Sequence, residues 1–177
     1  MRPDFRFLSG LDPRGERHER RILIALALVG LLSVVLISRA GADTEVKFTT
    51  TLTAVNPLTG TVTGDPDGRG TAEFTFDTDQ GTVCYELEVE AIAEPVEPAP
   101  GLGSAHIHTL DSVPPGAIAV DLKADFQPDK SDEFKASGCV QVASALLQAI
   151  LANPDQYYVN IHNADFPGGA LAGLLSG

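Results

Sequence analysis

The sequence has few of the residues on which redox, zinc-ribbon and hydrolase chemistry depends. It has no tryptophan, one methionine and only two cysteines among 177 residues. Those cysteines form no CxxC pair, which excludes a zinc ribbon and a dithiol redox motif. No GxSxG motif occurs, so the nucleophile elbow of serine hydrolases is absent as well. Aromatic residues make up only 6% of the chain, and the abundance of valine, threonine, glycine and proline favours strands joined by turns over a helical bundle.

Positive charge is scarce in most of the chain. Residues 43–177 hold five basic residues against twenty acidic ones, a net charge of −15. Residues 1–42 hold seven arginines and four acids, a net charge of +3. The acidic region, residues 43–177, repels phosphate groups. We therefore expect neither nucleic acid nor an anionic lipid surface as its partner.

No apolar run reaches the roughly 20 residues that a membrane-spanning helix needs. The longest run, residues 22–37, has sixteen. It follows an arginine-rich start and precedes the small-x-small pattern that ends at Ala42. We predict that residues 1–42 are either a signal peptide cleaved after Ala42 or a retained signal anchor, and both alternatives stay open. In either case we expect residues 43–177 to be exported to the cell surface or beyond, because the arginine-rich flank stays in the cytoplasm. The chain then meets a membrane only through the N-terminal segment, if that segment is not cleaved.

Alternation of apolar and polar residues predicts an all-β domain over residues 43–177. Residues 71–76 and 82–92 alternate most regularly and are separated by a turn, which predicts a hairpin. Residues 142–152 instead show helical spacing and end at Asn153-Pro154, which predicts one short helix. We therefore predict an all-β fold: an antiparallel, Greek-key-like β-sandwich with one short helix, preceded by the N-terminal signal or anchor segment.

Both cysteines, Cys84 and Cys139, lie in the exported region. Two thiols in an oxidising compartment are far more often joined than free. The sequence therefore predicts a Cys84–Cys139 disulfide.

Three histidines lie in two short alternating segments, residues 105–108 and 157–162. The period of two places His106 and His108 on one face of the first strand, and it places His162 on the polar face of a half-buried second strand. If the strands are neighbours, the three rings can converge on one copper or zinc ion. In the alternative interpretation the rings hydrogen-bond to each other, to Asn160 or to backbone carbonyls and hold the strands in register. Both interpretations stay open.

These segments resemble the CHRD domain, the module first named in chordin. The resemblance covers roughly residues 46–175, and its most specific parts are His106–His108, residues 158–162 and Pro167-Gly168-Gly169. Cys84 and Cys139 are similar to the cysteines of bacterial members. The last strand differs, because Ala172 and Leu174 stand where family members commonly carry Arg and Gln. The resemblance implies a β-sandwich of extracellular and cell-surface proteins without an established catalytic role.

Two classes of function follow. The first is a non-enzymatic extracellular module, secreted or tethered, that binds an unknown extracellular protein or a component of the cell envelope. The second is a mononuclear copper or zinc protein that uses His106, His108 and His162. The His-x-His pair resembles the ligands of copper/zinc superoxide dismutases, but three histidines are too few for a bridged two-metal site. The net charge of −15 also opposes the steering of an anionic substrate, so we predict no enzyme.

Overall fold

The computed structural model describes residues 45–97, 99–110 and 116–176. The predictions for residues 1–42, including cleavage after Ala42, lie outside this part of the chain. Within it, no helix is long and apolar enough to cross a membrane. The elements in chain order are β1 Glu45–Thr53, β2 Val55–Asn56, β3 Thr61–Val62, β4 Arg69–Asp77, β5 Thr82–Glu90, β6 Ala105–Thr109, β7 Ile118–Asp121, β8 Gln127–Lys130, β9 Glu133–Gln141, α1 Ser144–Ala152, β10 Tyr157–Ile161 and β11 Leu171–Leu174.

The hairpin of β4 and β5 has the predicted alternation. The core-facing residues of β5 are buried, while Glu86 and Glu88 between them are exposed. Phe74 and Phe76 of β4 are also buried, and the Phe76 ring meets the ring of Phe48 edge to face at 5.4 Å. Successive strand residues point to opposite faces, so this alternation fixes which face of the hairpin forms the core.

Nine strands form one antiparallel sheet in the order β7-β6-β10-β11-β1-β4-β5-β9-β8. The two halves of the sheet meet where β1 pairs with β11, through the single register pair Thr53–Ala172. Residues from both halves, such as Ile107 of β6 and Leu87 of β5, belong to one buried core. The sheet must therefore curl over itself, because its two halves bury the same apolar face. The predicted all-β antiparallel fold is confirmed, and the curled half-barrel is compatible with a β-sandwich.

The predicted helix is confirmed, with a later start. It begins at Ser144 and not at residue 142, because the N–H of Val142 still donates to the carbonyl of Gly81. Leu147 and Ile150 are fully buried and belong to the core. The helix ends before Asn153 and Pro154, as a proline at this place requires.

The predicted disulfide is present. Cys84 of β5 and Cys139 of β9 lie directly opposite each other in the sheet and are bonded. The two strands are paired along their whole length, from Thr82–Gln141 to Glu90–Glu133. The bridge therefore joins strands that backbone hydrogen bonds also hold together.

Strands β8 and β9 were not predicted from the sequence. In β9 the alternation is interrupted at Gly138, which lies opposite Tyr85. A Cβ atom at residue 138 would lie 2.8 Å from the hydroxyl of Tyr85, so the tyrosine occupies the space that a core side chain of β9 would need. All four residues of β8 are exposed, and the strand lies at one edge of the sheet, while β7 forms the other edge.

Candidate metal centre

The pairing of β6 with β10 brings the three predicted histidines together. In this pair His108 lies opposite Tyr158 and His106 opposite Asn160. His162 directly follows β10, and its N–H donates to the carbonyl of Ser104 at 2.9 Å. One ring nitrogen from each of His106, His108 and His162 lies within 4.8 Å of the other two. The predicted convergence of the rings is therefore present.

The prediction that the second histidine strand, β10, is half-buried was wrong. Apart from the partly exposed Tyr157, the residues of β10 are buried on both faces. The exposed fractions of His106, His108 and His162 are only 0%, 2% and 4%. The polar face is covered because the chain after β10 folds back over it, where the amide of Asn160 donates to the carbonyl of Gly168 at 3.1 Å.

The Pro167-Gly168-Gly169 turn explains how the chain comes so close to the histidines. Gly169 has a φ of +132°, which side-chain-bearing residues rarely adopt. A Cβ atom there would lie 2.2 Å from the amide oxygen of Asn160. Glycine at residue 169 thus lets the turn pack directly on the polar face of β10.

Backbone carbonyls fix the protonated nitrogen of two rings. Nδ1 of His162 lies 2.9 Å from the carbonyl oxygen of Pro167, and Nδ1 of His108 lies 3.2 Å from that of Gly116. A carbonyl only accepts hydrogen bonds, so both Nδ1 atoms carry the proton in the neutral ring. The Nε2 atoms of these rings therefore have a free electron pair. This arrangement, in which the outer N–H donates to a carbonyl, is typical of histidines that ligate metals.

His106 has a different environment. Its Nδ1 lies 3.1 Å from Nε2 of His162, and its Nε2 lies 3.8 Å from the carboxylate oxygen Oδ1 of Asp121. The Nε2 atoms of both His106 and His108 are buried without a hydrogen-bond partner. The ring of Tyr158 stacks on the ring of His108 at a centroid distance of 5.2 Å.

Asp121 is the site residue that sequence reasoning missed. It belongs to β7 and lies directly opposite His106 in the sheet. Its Oδ1 accepts hydrogen bonds from the N–H groups of Gly103 and Lys123, both at 3.0 Å, and the Lys123 ammonium pairs with its Oδ2. Burial alone would raise the pKa of Asp121, but the hydrogen bonds from Lys123 and Gly103 lower it below its usual value. In the sequence Asp121 stands only in the strand segment after the histidine strand, and this position alone does not show that it faces His106.

Burial lowers the pKa of all three rings. The pKa of His106 falls from 6.5 to about 4 through burial, although Asp121 opposes the change. Burial also lowers the pKa of His162 to about 4, with a contribution from His106 and opposition from the Pro167 carbonyl. Burial lowers the pKa of His108 against its hydrogen bond to Gly116. At pH 7 the rings are therefore neutral, which is the form that binds metal ions.

We expect the metal-free protein to lose stability as the pH falls from about 6.5 towards 4. Between these values the unfolded chain binds protons on its histidines, while His106 and His162 stay neutral in the fold. Above pH 6.5 the contribution of these rings to the free energy of unfolding is fully present. Its complete loss at low pH removes on the order of 3 kcal/mol for each ring. Urea denaturation with a chelator at pH 7.5, 6.5 and 5.5 measures the free energy of unfolding at each pH. The change can be assigned to histidines, because most carboxylates do not titrate in that window. A constant free energy of unfolding between pH 7.5 and 5.5 would contradict the expectation.

Comparison with known proteins identifies a family. The family model of the CHRD domain matches residues 48–175. No match was found among curated proteins or among solved structures. The matched range contains the disulfide, the histidine cluster and Asp121.

Proposed function

The chain belongs to the CHRD domain family, and on this premise we propose that residues 43–177 act as an exported, non-enzymatic module that binds another protein or a component of the cell envelope. The observation that carries the proposal is the family match over residues 48–175. The Cys84–Cys139 bridge supports export, because disulfides persist in oxidising compartments. The acidic composition of the region supports a soluble surface outside the cell.

Two features support a role without catalysis. Both cysteines are bonded to each other, so neither is available as a nucleophile. The histidines are buried and the pKa values of His106 and His162 lie at about 4, well below the value near 7 that suits a general base.

The location of the domain tests the first proposal. We expect the native gene, expressed in its own host, to give a folded domain outside the cytoplasm. N-terminal sequencing of the released protein should begin after Ala42 if the signal is cleaved. A retained anchor should instead leave the domain attached to cells but accessible to added protease. Folded protein in the cytoplasm with residues 1–42 intact would overturn the proposal.

A second candidate function is the binding of one copper or zinc ion by His106, His108 and His162. It is favoured by the closeness of the three ring nitrogens, all within 4.8 Å of one another. Ligands at bonds of about 2.0–2.1 Å lie roughly 3.3–3.6 Å apart in tetrahedral or trigonal geometry. The observed 3.1 Å between Nδ1 of His106 and Nε2 of His162 is close to this spacing. This pair of nitrogens therefore needs only a small movement, and a ring nitrogen of His108 lies within 4.8 Å of both rings' ligand atoms.

Elemental analysis and calorimetry of tag-free protein test this candidate. We expect about one copper or zinc ion per chain as purified or after loading at pH 7, because three neutral imidazoles suit these metals. A preparation that contains no metal and takes up neither Cu(II) nor Zn(II) would leave a structural histidine cluster.

A further inference from the structure

The neutral histidine cluster has a conflict in its hydrogen bonds. Each neutral imidazole has one N–H and one electron pair. The carbonyls of Pro167 and Gly116 take the N–H of His162 and His108. Nε2 of His162 and Nε2 of His108 therefore both present electron pairs. Whether the pair on His162 finds a donor depends on which nitrogen of His106 carries the proton.

His106 cannot satisfy both of its neighbours while it is neutral. If its proton is on Nδ1, it donates to Nε2 of His162 at 3.1 Å. Its Nε2 electron pair then faces the carboxylate of Asp121 at 3.8 Å, and two acceptors oppose each other in a buried place. If the proton is on Nε2, it points at Asp121, but two electron pairs then face each other across 3.1 Å. One repulsive contact remains in either tautomer.

A cation bound between the three rings removes the repulsive contact of His106, because the electron pairs that face the cation become its ligands. We propose that the metal ion is bound by Nδ1 of His106 and by Nε2 of His108 and His162, and that Asp121 is the positioning residue that accepts the Nε2–H of His106. This inference rests on the second candidate function above. All three outward N–H groups then have an acceptor: two carbonyls and one carboxylate. Carboxylate and carbonyl partners of this kind fix the tautomer of ligating histidines.

Asp121 is held in place for this role. Its register partner in the sheet is His106, and two backbone N–H groups and the Lys123 ammonium fix its carboxylate. Lys123 has a φ of +53°, an uncommon conformation for a residue with a side chain, which brings its N–H to Oδ1 of Asp121. The distance of 3.8 Å has to shorten by about 1 Å to reach a charge-assisted hydrogen bond. A small shift of the His106 ring provides this.

The proposal predicts a change of tautomer at His106. Without metal, the Nδ1–H form bonds to His162 and avoids the closer of the two repulsive contacts, the one across 3.1 Å. With metal bound, the proton moves from Nδ1 to Nε2 and points at Asp121, and no net proton leaves the protein. His108 and His162 keep the proton on Nδ1 in both states, because their carbonyl partners accept it throughout.

Multiple-bond ¹H–¹⁵N spectra of protein labelled at histidine measure these tautomers directly. We expect one equivalent of Zn(II) to convert His106 from the Nδ1–H to the Nε2–H form, and to leave His108 and His162 as Nδ1–H. A loaded protein in which His106 keeps its proton on Nδ1, and so binds Zn(II) through Nε2, would overturn the proposal.

Substitution of Asp121 provides the second test. We expect Asp121→Leu to weaken Zn(II) binding about 10–100-fold, as loss of an outer partner does. Asp121→Asn keeps an oxygen acceptor, so its affinity should lie between those of the wild type and the leucine variant. The matched control is Asp77→Leu: Asp77 is buried and also accepts two backbone N–H groups, from Asp79 and Gln80 at 2.9 Å, and no hydrogen bond or ion pair joins it to His106, His108 or His162. Zn(II) affinity should be unchanged in this control.

The two levels of the proposal fail in different ways. If wild-type protein binds neither copper nor zinc, the metal candidate and this inference both fall. If the wild type binds Zn(II) and Asp121→Leu binds it equally well, only the role of Asp121 is wrong. Should the leucine variant not fold, the asparagine variant and the wild-type tautomers still decide, because neither depends on a stable leucine variant.

Discussion

Replacement of Cys84 and Cys139 together by alanine is expected to lower the free energy of unfolding by about 4 kcal/mol. The bridge spans a sequence separation of 55 residues, and the chain-entropy treatment of a loop of that length gives this value. It is a large part of the roughly 5–15 kcal/mol that stabilises a typical domain. The native contacts change little, because β5 and β9 remain paired along their whole length. Most of the loss therefore arises from the greater freedom of the unfolded chain.

Urea denaturation of the oxidised wild type and the double variant measures the difference. The neighbouring cross-strand pair on the same face, Glu86 and Ser137, provides the control. Its replacement by two alanines should change stability by no more than about 1 kcal/mol. Titration of unfolded, unreduced wild-type protein should show no free thiol. Two titratable thiols, or a stability loss below about 1 kcal/mol in the double variant, would contradict the predicted role of the bridge.

Replacement of His106 by alanine is expected to abolish metal binding. His106 lies between His162 and Asp121, so its removal deletes one ligand and also ends the contact with the outer carboxylate. The loss of affinity should exceed the 10–100-fold that follows from an outer partner alone. Calorimetric titration with Zn(II) at pH 7 measures the affinity, and near-UV circular dichroism shows whether the variant is folded.

The control for this variant is its neighbour in β6. Ile107 is fully buried but faces the apolar core, so Ile107→Ala should destabilise the domain by about 2–5 kcal/mol. Zn(II) binding should nevertheless persist at temperatures where the variant is folded. Retained binding in His106→Ala, or equal loss in both variants, would show that the histidine ring is not a ligand.

The sequence predicted those features that depend on the period of a strand. Val83 and Glu86 fall on opposite faces because strand residues alternate, and the same rule placed His106 and His108 on one face. The convergence with His162 needed only the further assumption that two strands are neighbours. The turn observed at Pro167-Gly168-Gly169 also agrees with the sequence, because glycine and proline mark turns.

Other features depend on tertiary contacts that no local pattern records. Strand β9 was missed because Gly138 leaves its space to Tyr85, so the alternation is shared between two strands. The burial of the histidines depends on a loop that folds back over Asn160, and loops have no periodicity. Asp121 was missed because an acidic residue in a strand is usually exposed, and only the register of β6 and β7 shows its partner.

The exposed edge strand β8 limits how its end of the sheet can pair with other proteins. An open sheet normally offers its outermost strand as a template for another chain, which leads to polymerisation. Here Pro128 has no N–H to offer, and it is followed by Asp129 and Lys130, whose charges form ion pairs with Lys135 and Glu133. The strand is also only four residues long. This edge therefore resists the addition of a further strand, and with it the growth of fibres.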